Sequence, residues 1–262
     1  MELRRVPLFA DYESLLHDDP AELETLVRGI PIHVTEFFRD AKSWDLVQRD
    51  VIPRLFEETD GAVRVWTPAC ATGEEAYSLA MLLAEHASML EKPADYQVFA
   101  TDAAAEIVAR AGRSVFNAAA VKQLSQERRQ RFFYAADNAF RVKRSLREKM
   151  VFAPQDLLAD PPFSGLDLVT CRNLLIYLQP DAIQRVVYLL HCALRIGGYL
   201  LLGRAESLSP KQVGFEEIAQ GSHIYRKTGP SPKVDLAFPK RPLRLRTSRS
   251  SQSAMFSAPA RP

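Results

Sequence analysis

The stretch Val65-Trp66-Thr67-Pro68-Ala69-Cys70-Ala71-Thr72-Gly73-Glu74-Glu75-Ala76-Tyr77-Ser78 constrains the fold more than any other. It reads as a short apolar strand, a loop of small residues and the opening of an amphipathic helix. Tyr77, Ala80, Met81 and Ala84 carry the apolar face at helical spacing. A loop without bulk lets a ligand approach the backbone closely, at the positive end of the helix dipole. Glu74 and Glu75, paired at the helix start, would repel a phosphate there. They suit a ligand with ribose hydroxyls and a positive charge.

From this point strands and helices alternate. Strands are expected over 63–67, 97–101, 150–153, 166–170 and 199–202, with helices over 74–87, 103–111 and 181–194 between them. Gly197-Gly198 is expected to close the last helix and start its strand. His223-Ile224-Tyr225-Arg226 is the candidate for a last, antiparallel edge strand. The alternation predicts an α/β fold: βαβ units around a parallel sheet with helices on both faces. One region departs from it. Between Gly112 and Met150 an arginine-rich helix (Arg128, Arg129, Arg131) leads into Phe132-Phe133-Tyr134, a turn at Asp137-Asn138, and Phe140 to Lys143. Aromatic runs around such a turn predict a small inserted hairpin.

Before the sheet, Asp19-Pro20 makes an N-cap followed by a first-turn proline, and residues 1–33 are expected to form short helices. A further helix is expected near Trp44 to Glu57. At 262 residues and 47% apolar, the chain can bury one substantial core. It contains no run of about 18 apolar residues, so no membrane span is expected, and no signal peptide is recognised at Met1. Cys70, Cys171 and Cys192 are odd in number and match no zinc spacing, so reduced thiols in a cytoplasmic protein and no metal are expected. From Gly229 onward seven basic residues face the single acid Asp235, which gives this tail +6 and the rest −4 within a total of +2. Rich in proline and serine, residues 229–262 read as a disordered basic linker.

Six motifs in order resemble one family, the CheR-type protein-glutamate O-methyltransferases of bacterial chemotaxis receptors. They are Val34-Thr35-Glu36-Phe37-Phe38-Arg39-Asp40, Ala71 to Ser78, Ala100-Thr101-Asp102, Asp156-Leu157-Leu158, Cys171-Arg172-Asn173-Leu174-Leu175-Ile176-Tyr177, and Gly197 to Gly203 followed by Glu206. The wording around Pro161-Pro162-Phe163 and Cys171-Arg172-Asn173 is similar to versions found in larger fusion proteins. The resemblance implies a Rossmann-like class I methyltransferase fold: a seven-stranded, mostly parallel sheet with the last strand antiparallel. It implies a catalytic domain over 34–228, with residues 113–149 as an inserted basic helix and β-hairpin subdomain. S-adenosyl-L-methionine is the implied donor, S-adenosyl-L-homocysteine the product, and glutamates in the cytoplasmic helical domain of methyl-accepting receptors the acceptors. The turn from Tyr134 to Phe140 is too short for the glycine-flanked insertion with which some members grip a receptor's terminal peptide. A monomer is expected, with no membrane insertion and no nucleic-acid partner.

The implied site has two parts. Arg39 and Tyr177 would flank the reacting centre, Arg39 holding the donor carboxylate or the incoming glutamate and Tyr177 orienting the methyl group. His33, Thr35, Arg39, Glu75, Asp102, Asp156, Leu157, Arg172 and Asn173 would bind the cofactor. Asp102 lies 29 residues after Gly73 at a strand end, where a carboxylate can accept both ribose hydroxyls; capping the helix at Ala103 is its other reading. Glu75 would face the methionine amino group. Asp156 and Leu157 would meet the adenine, with a helix cap as the alternative for Asp156. Phe37 and Phe38 would pack. His33 stands where many relatives carry asparagine, and histidine changes charge near neutrality. The N-terminal helical segment is shorter than in free-standing members, and the basic cluster Arg128, Arg129, Arg131, Arg141, Lys143, Arg144 and Arg147 is a candidate replacement for its receptor-facing surface. An RNA or small-molecule methyltransferase and a catalytically silent receptor or scaffold module are the competing functions. A dinucleotide-dependent dehydrogenase is disfavoured because the loop lacks three spaced glycines.

Overall fold

Val63–Pro68 forms β1, and five of its six residues are buried, the pattern of a strand covered on both faces. The computed structural model describes residues 35–208 and 214–232, with Tyr12, Leu15, Asp18 and Asp19. His33, the helical segment expected over 1–33 and residues 233–262 of the expected tail lie outside the described residues, the four isolated positions aside.

Before β1, α1 (Ala41–Leu46) runs through a π-helical segment (Val47–Val51) into α2 (Ile52–Glu58). After it come α3 (Glu74–Ala87), β2 (Tyr96–Asp102) and α4 (Ala105–Gly112). The insertion holds β3 (Val115–Asn117), α5 (Ala118–Lys122), α6 (Gln126–Phe132), β4 (Phe133–Ala136), β5 (Ala139–Val142) and α7 (Arg144–Arg147). The chain returns through β6 (Met150–Pro154), β7 (Leu166–Cys171), a 3-10 turn (Leu175–Tyr177), α8 (Pro180–Ala193) and β8 (Leu194–Leu202). It then adds β9 (Phe215–Glu217) and β10 (Ile224–Lys227).

Seven strands form one sheet in the order β6-β2-β1-β7-β8-β10-β9. The first five are parallel, and β10 runs antiparallel to both neighbours. Connections leave β1 toward β2 on one side, while β7 leads away on the other, so the order reverses between β1 and β7. Open sheets of this kind bind ligands at that reversal, at the carboxyl ends of the strands. Alternate residues of β8 point into two cores: Tyr199 and Leu201 join the one built on α1–α3, and Leu200 and Leu202 join the one built on α8. Trp66 Nε1 donates to Thr101 Oγ1 at 2.9 Å, and the Thr67 and Thr170 hydroxyls share a bond of 2.9 Å. These bonds tie the three central strands together beneath the carboxyl edge.

The expected antiparallel strand exists as β10, but it is not at the edge. It lies between β8 and β9, and Phe215–Glu217 is the edge. A three-residue strand is too short to show a period. β8 also starts five residues earlier than the 199–202 expectation and passes through Gly197-Gly198 instead of beginning there. A Cβ on Gly198 would sit 2.9 Å from the Leu166 carbonyl oxygen, in the irregular β7–β8 register, so glycine is needed inside the strand. The expected hairpin is β4–β5, with Ala136 opposite Ala139 across Asp137-Asn138. A third strand, β3, extends it to a small antiparallel sheet. At the other end, Tyr188 donates to the Pro232 carbonyl at 2.8 Å and Ser231 Oγ bonds His191 Nδ1 at 2.8 Å, so residues at the start of the basic tail are held on α8.

Candidate active site

The loop after β1 turns through left-handed backbone at Ala69 (φ 50), Ala71 (φ 47) and Gly73 (φ 96). A side chain on Gly73 would meet Ala111 Cβ at 3.1 Å, in a conformation that already favours glycine. The Cys70 N–H donates to the Thr101 carbonyl at 2.9 Å, and the Ala71 N–H donates to Asp102 Oδ2 at 3.0 Å. Asp102 Oδ1 accepts the Ala104 N–H at 3.0 Å. Asp102 therefore secures the loop and the entry to α4 together. Each carboxylate oxygen accepts one bond in this way and keeps a second lone pair.

Residues 35–40 cross the carboxyl edge as a strap. Phe37 is buried, its ring 4.9 Å from that of Phe116 and 5.8 Å from that of Phe133, both in the insertion. Phe38 (φ 52) and Asp40 (φ 62) are left-handed and bracket Arg39. The Phe38 N–H donates to Ser78 Oγ at 3.0 Å, and that hydroxyl donates to the Glu74 carbonyl at 2.7 Å. Arg172, the residue after β7, reaches the strap from below with no exposed side-chain surface. Its Nη2 donates to the Arg39 carbonyl at 2.8 Å and to Asp40 Oδ2 at 2.7 Å, and its Nη1 donates to Glu75 Oε2 at 3.3 Å. Burial pushes the Glu75 carboxyl above its ordinary range, and the Arg172 guanidinium draws it back down. Glu74 is likewise raised by burial, against the hydrogen bond it accepts from Thr72 at 2.6 Å.

Thr35, Arg39, Glu75 and Arg172 thus lie on or beneath one strap, and Asp102 is bonded to the loop that leads into α3, whose Ser78 holds the strap. Asp156 follows β6, where the Gln155 N–H bonds the Asp102 carbonyl at 2.9 Å. Its carboxylate accepts the Leu158 N–H at 2.8 Å in a local turn, and Leu157 packs on the α8-side core. Asn173 is left-handed (φ 58), and its N–H goes to Glu206 Oε2 at 2.8 Å. Tyr177 ends the 3-10 turn and is 63% exposed.

Three contributors were not assigned roles by sequence reasoning. Glu206 is buried and accepts N–H bonds from Asn173, Gly203 and Leu175 at 2.7–2.8 Å, pinning the ends of β7 and β8 together. Asp40 and Ser78 hold the strap. Glu206 had one local signal, an acid four residues past a strand end. In the insertion, four of the seven basic residues have protein partners: Arg128 pairs with Glu85, Arg131 with Ser88, Lys143 with the Gln130 carbonyl and Arg144 with Glu148. Only two of these partners are carboxylates, and the Arg144 side chain is 86% exposed, so the cluster keeps a net positive charge at the surface.

The family model described as the CheR methyltransferase, SAM binding domain, matches residues 33–224. The chain belongs to the CheR methyltransferase family. A 104.1 kDa uncharacterized protein of Rhodobacter capsulatus is 37% identical over 90% of this chain, which spans 25% of that protein's length. The chemotaxis protein methyltransferase of Listeria monocytogenes is 32% identical over 84% of this chain and 82% of its own. Among solved structures, the DszA carbon methyltransferase aligns over 66% of this chain and 37% of its own, at 16% identity and a TM-score of 0.42.

S-adenosylmethionine is the cofactor of a CheR domain, and the residues present fit it. Glu75, Asp102 and Asp156 place three carboxylates beside the ends of β1, β2 and β6, which suits a cationic ligand with ribose hydroxyls and would oppose a phosphate. The Cys70 and Cys171 thiols are both raised by burial and stay protonated, so neither offers a competing nucleophile to the donor. Among the described residues no cluster could hold a metal, and no helix is long and apolar enough to cross a membrane.

Proposed function

We propose that this CheR domain transfers the methyl group of S-adenosylmethionine to glutamate carboxylates of chemotaxis-type receptor helices in the cytoplasm, forming methyl esters. The observation that carries the reading is the buried Arg172, which joins the strap bearing Arg39 to the donor-side Glu75. A strap fixed in this way would let Arg39 supply a cation where an anionic acceptor must meet a cationic donor.

Glutamate, with a pKa of about 4.3, is already ionised at neutral pH, so its attack needs no general base. The bound cofactor supplies an electrophilic sulfonium methyl. The protein's work is to hold oxygen, methyl and sulfur in line and to keep water out. Asp102 would hold the ribose, Glu75 the methionine ammonium, and Asp156 with Leu157 the adenine. Arg39 would guide the acceptor carboxylate, and the exposed Tyr177 hydroxyl would border the methyl. His33 and Thr35 would close the donor side, and Asn173 would line it.

The test is transfer of tritiated methyl to receptor-rich membranes, followed by mild base. Volatile methanol supports a carboxyl ester. Base-stable label, or label only on RNA, overturns the acceptor assignment. Binding of S-adenosylhomocysteine without any transfer favours the silent-module reading.

A further inference from the structure

The inserted subdomain is built into the strap. Arg128 of α6 forms a two-pronged pair with Glu85 of α3, its Nε and Nη2 each 2.8 Å from a different carboxylate oxygen. Both side chains are mostly buried, at 22% and 16% exposed. That pair fixes the plane of the guanidinium. Its Cζ lies 4.1 Å from the centroid of the Phe38 ring, and its Nη2 lies 3.4 Å from Gln48 Oε1 in the π-helical segment. Such π segments recur at functional sites.

Phe38 needs a restraint of this kind. A left-handed φ is unfavourable for a bulky residue and persists only where the surroundings over-determine it. The Ser78 hydroxyl holds the Phe38 amide, and Arg128 holds the ring. Downstream, Arg172 fixes Asp40, the second left-handed residue. Arg39 sits between two anchored neighbours, one held from β7 and the other from the insertion.

We propose that Arg128 is a positioning residue for methyl transfer: through Phe38 it sets the aim of Arg39, so the inserted subdomain is mechanically part of the reacting centre. This rests on the reading that Arg39 acts there, and the test separates the two. Arg128→Met keeps the aliphatic stem and removes the fork; Arg128→Lys keeps a cation. Amide exchange at residues 37–40 should quicken about tenfold in Arg128→Met, with β1 and β7 amides unchanged. Methyl transfer should lose about tenfold in kcat with the donor KM within about twofold, and Arg128→Lys should restore part of it. Phe38→Leu should lose a similar amount, and the double variant no more than the worse single.

Unchanged exchange in Arg128→Met overturns the proposal, as does unchanged kcat in an enzyme that Arg39→Met inactivates. If the wild-type chain methylates no glutamate yet its strap still loosens in Arg128→Met, the positioning stands and the acceptor reading falls. Should Arg128→Met fail to fold, Glu85→Gln releases the fork while leaving the arginine in place, and the same measurements decide.

Discussion

Arg172 and Asp40, 132 residues apart in the chain, meet at 2.7 Å with the arginine side chain wholly buried. One guanidinium nitrogen bonds both the Asp40 carboxylate and the Arg39 carbonyl, and another reaches Glu75. Among the described residues, the Arg172 Nε has no hydrogen-bond partner although it is buried. A cation so enclosed is tolerated because two carboxylates face it. The pairing makes the strap and the donor side of the cleft a single electrostatic unit.

Removing the cation should therefore cost both fold and binding. Arg172→Met leaves the buried Glu75 without its counter-charge and Asp40 with only the exposed Arg204 at 4.0 Å, and breaking a buried pair from one side costs about 3–5 kcal/mol. The unfolding free energy from urea titration should fall by roughly that amount. Calorimetry should show weaker S-adenosylhomocysteine binding, because the strap loses its anchor. A stability within about 1 kcal/mol of wild type would contradict the buried-pair account.

Asp102 serves two backbone N–H groups with its two oxygens. Asp102→Asn keeps one acceptor oxygen and replaces the other with a donor, so either Ala71 or Ala104 loses its partner. The same change turns one carboxylate oxygen that would hold the ribose into a donor; a hydrogen bond to a charged group contributes about 1.5–3 kcal/mol, so binding of S-adenosylhomocysteine should weaken about 10- to 100-fold. Calorimetry reads this directly. Unaltered affinity would reduce Asp102 to a loop pin.

The strand-loop-helix at residues 65–78 was legible because its signal is local: an apolar run, small residues, then helical spacing. Asp102 and Asp156 were legible as acids at strand ends. What escaped depends on the sheet closing. The Arg172–Asp40 pair and the Phe38–Ser78 bond join residues 132 and 40 apart, and no local pattern encodes such pairings. The short strands β3 and β9 escaped for another reason. Each takes its strand geometry from a neighbour, β5 for one and β10 for the other, not from its own three residues.

His191 should make stability depend on pH. Its ring lies between Ser231 and the Gly214 carbonyl, 2.8 and 3.3 Å from its two nitrogens. Burial lowers its pKa below the usual 6.5; the nearby Lys227 ammonium lowers it further, and the Gly214 carbonyl opposes both. The folded chain then binds fewer protons here than the unfolded one between the folded pKa and about 6.5, so stability rises with pH through that window and is lost as pH falls through it. Urea midpoints at pH 7.5 and 5.5 should differ in that sense, and His191→Gln should shrink the difference. An equal pH dependence in the variant would assign the effect elsewhere.

Glu206 separates a role in the fold from one in the cleft. Its carboxylate accepts N–H bonds from Asn173, Gly203 and Leu175 at 2.7–2.8 Å and a longer one from Ile176 at 3.4 Å. A Cβ on Gly203 would lie 2.6 Å from Glu206 Oε2, so the carboxylate fills the space that a side chain there would take. Glu206→Gln is nearly isosteric but turns one acceptor oxygen into an N–H₂ group facing N–H donors. If that group faces the Asn173 and Gly203 amides, two short bonds are lost; if it faces Leu175 and Ile176, one short and one long bond are lost. The cost at about 1.5–3 kcal/mol per bond is large in either orientation. Because Asn173 depends on this anchor for its left-handed turn, methyl transfer should fall by more than the folded fraction alone accounts for. Kinetics on fully folded Glu206→Gln, with its folded fraction set by near-UV circular dichroism, would show that excess. A kcat equal to wild type would confine Glu206 to the scaffold.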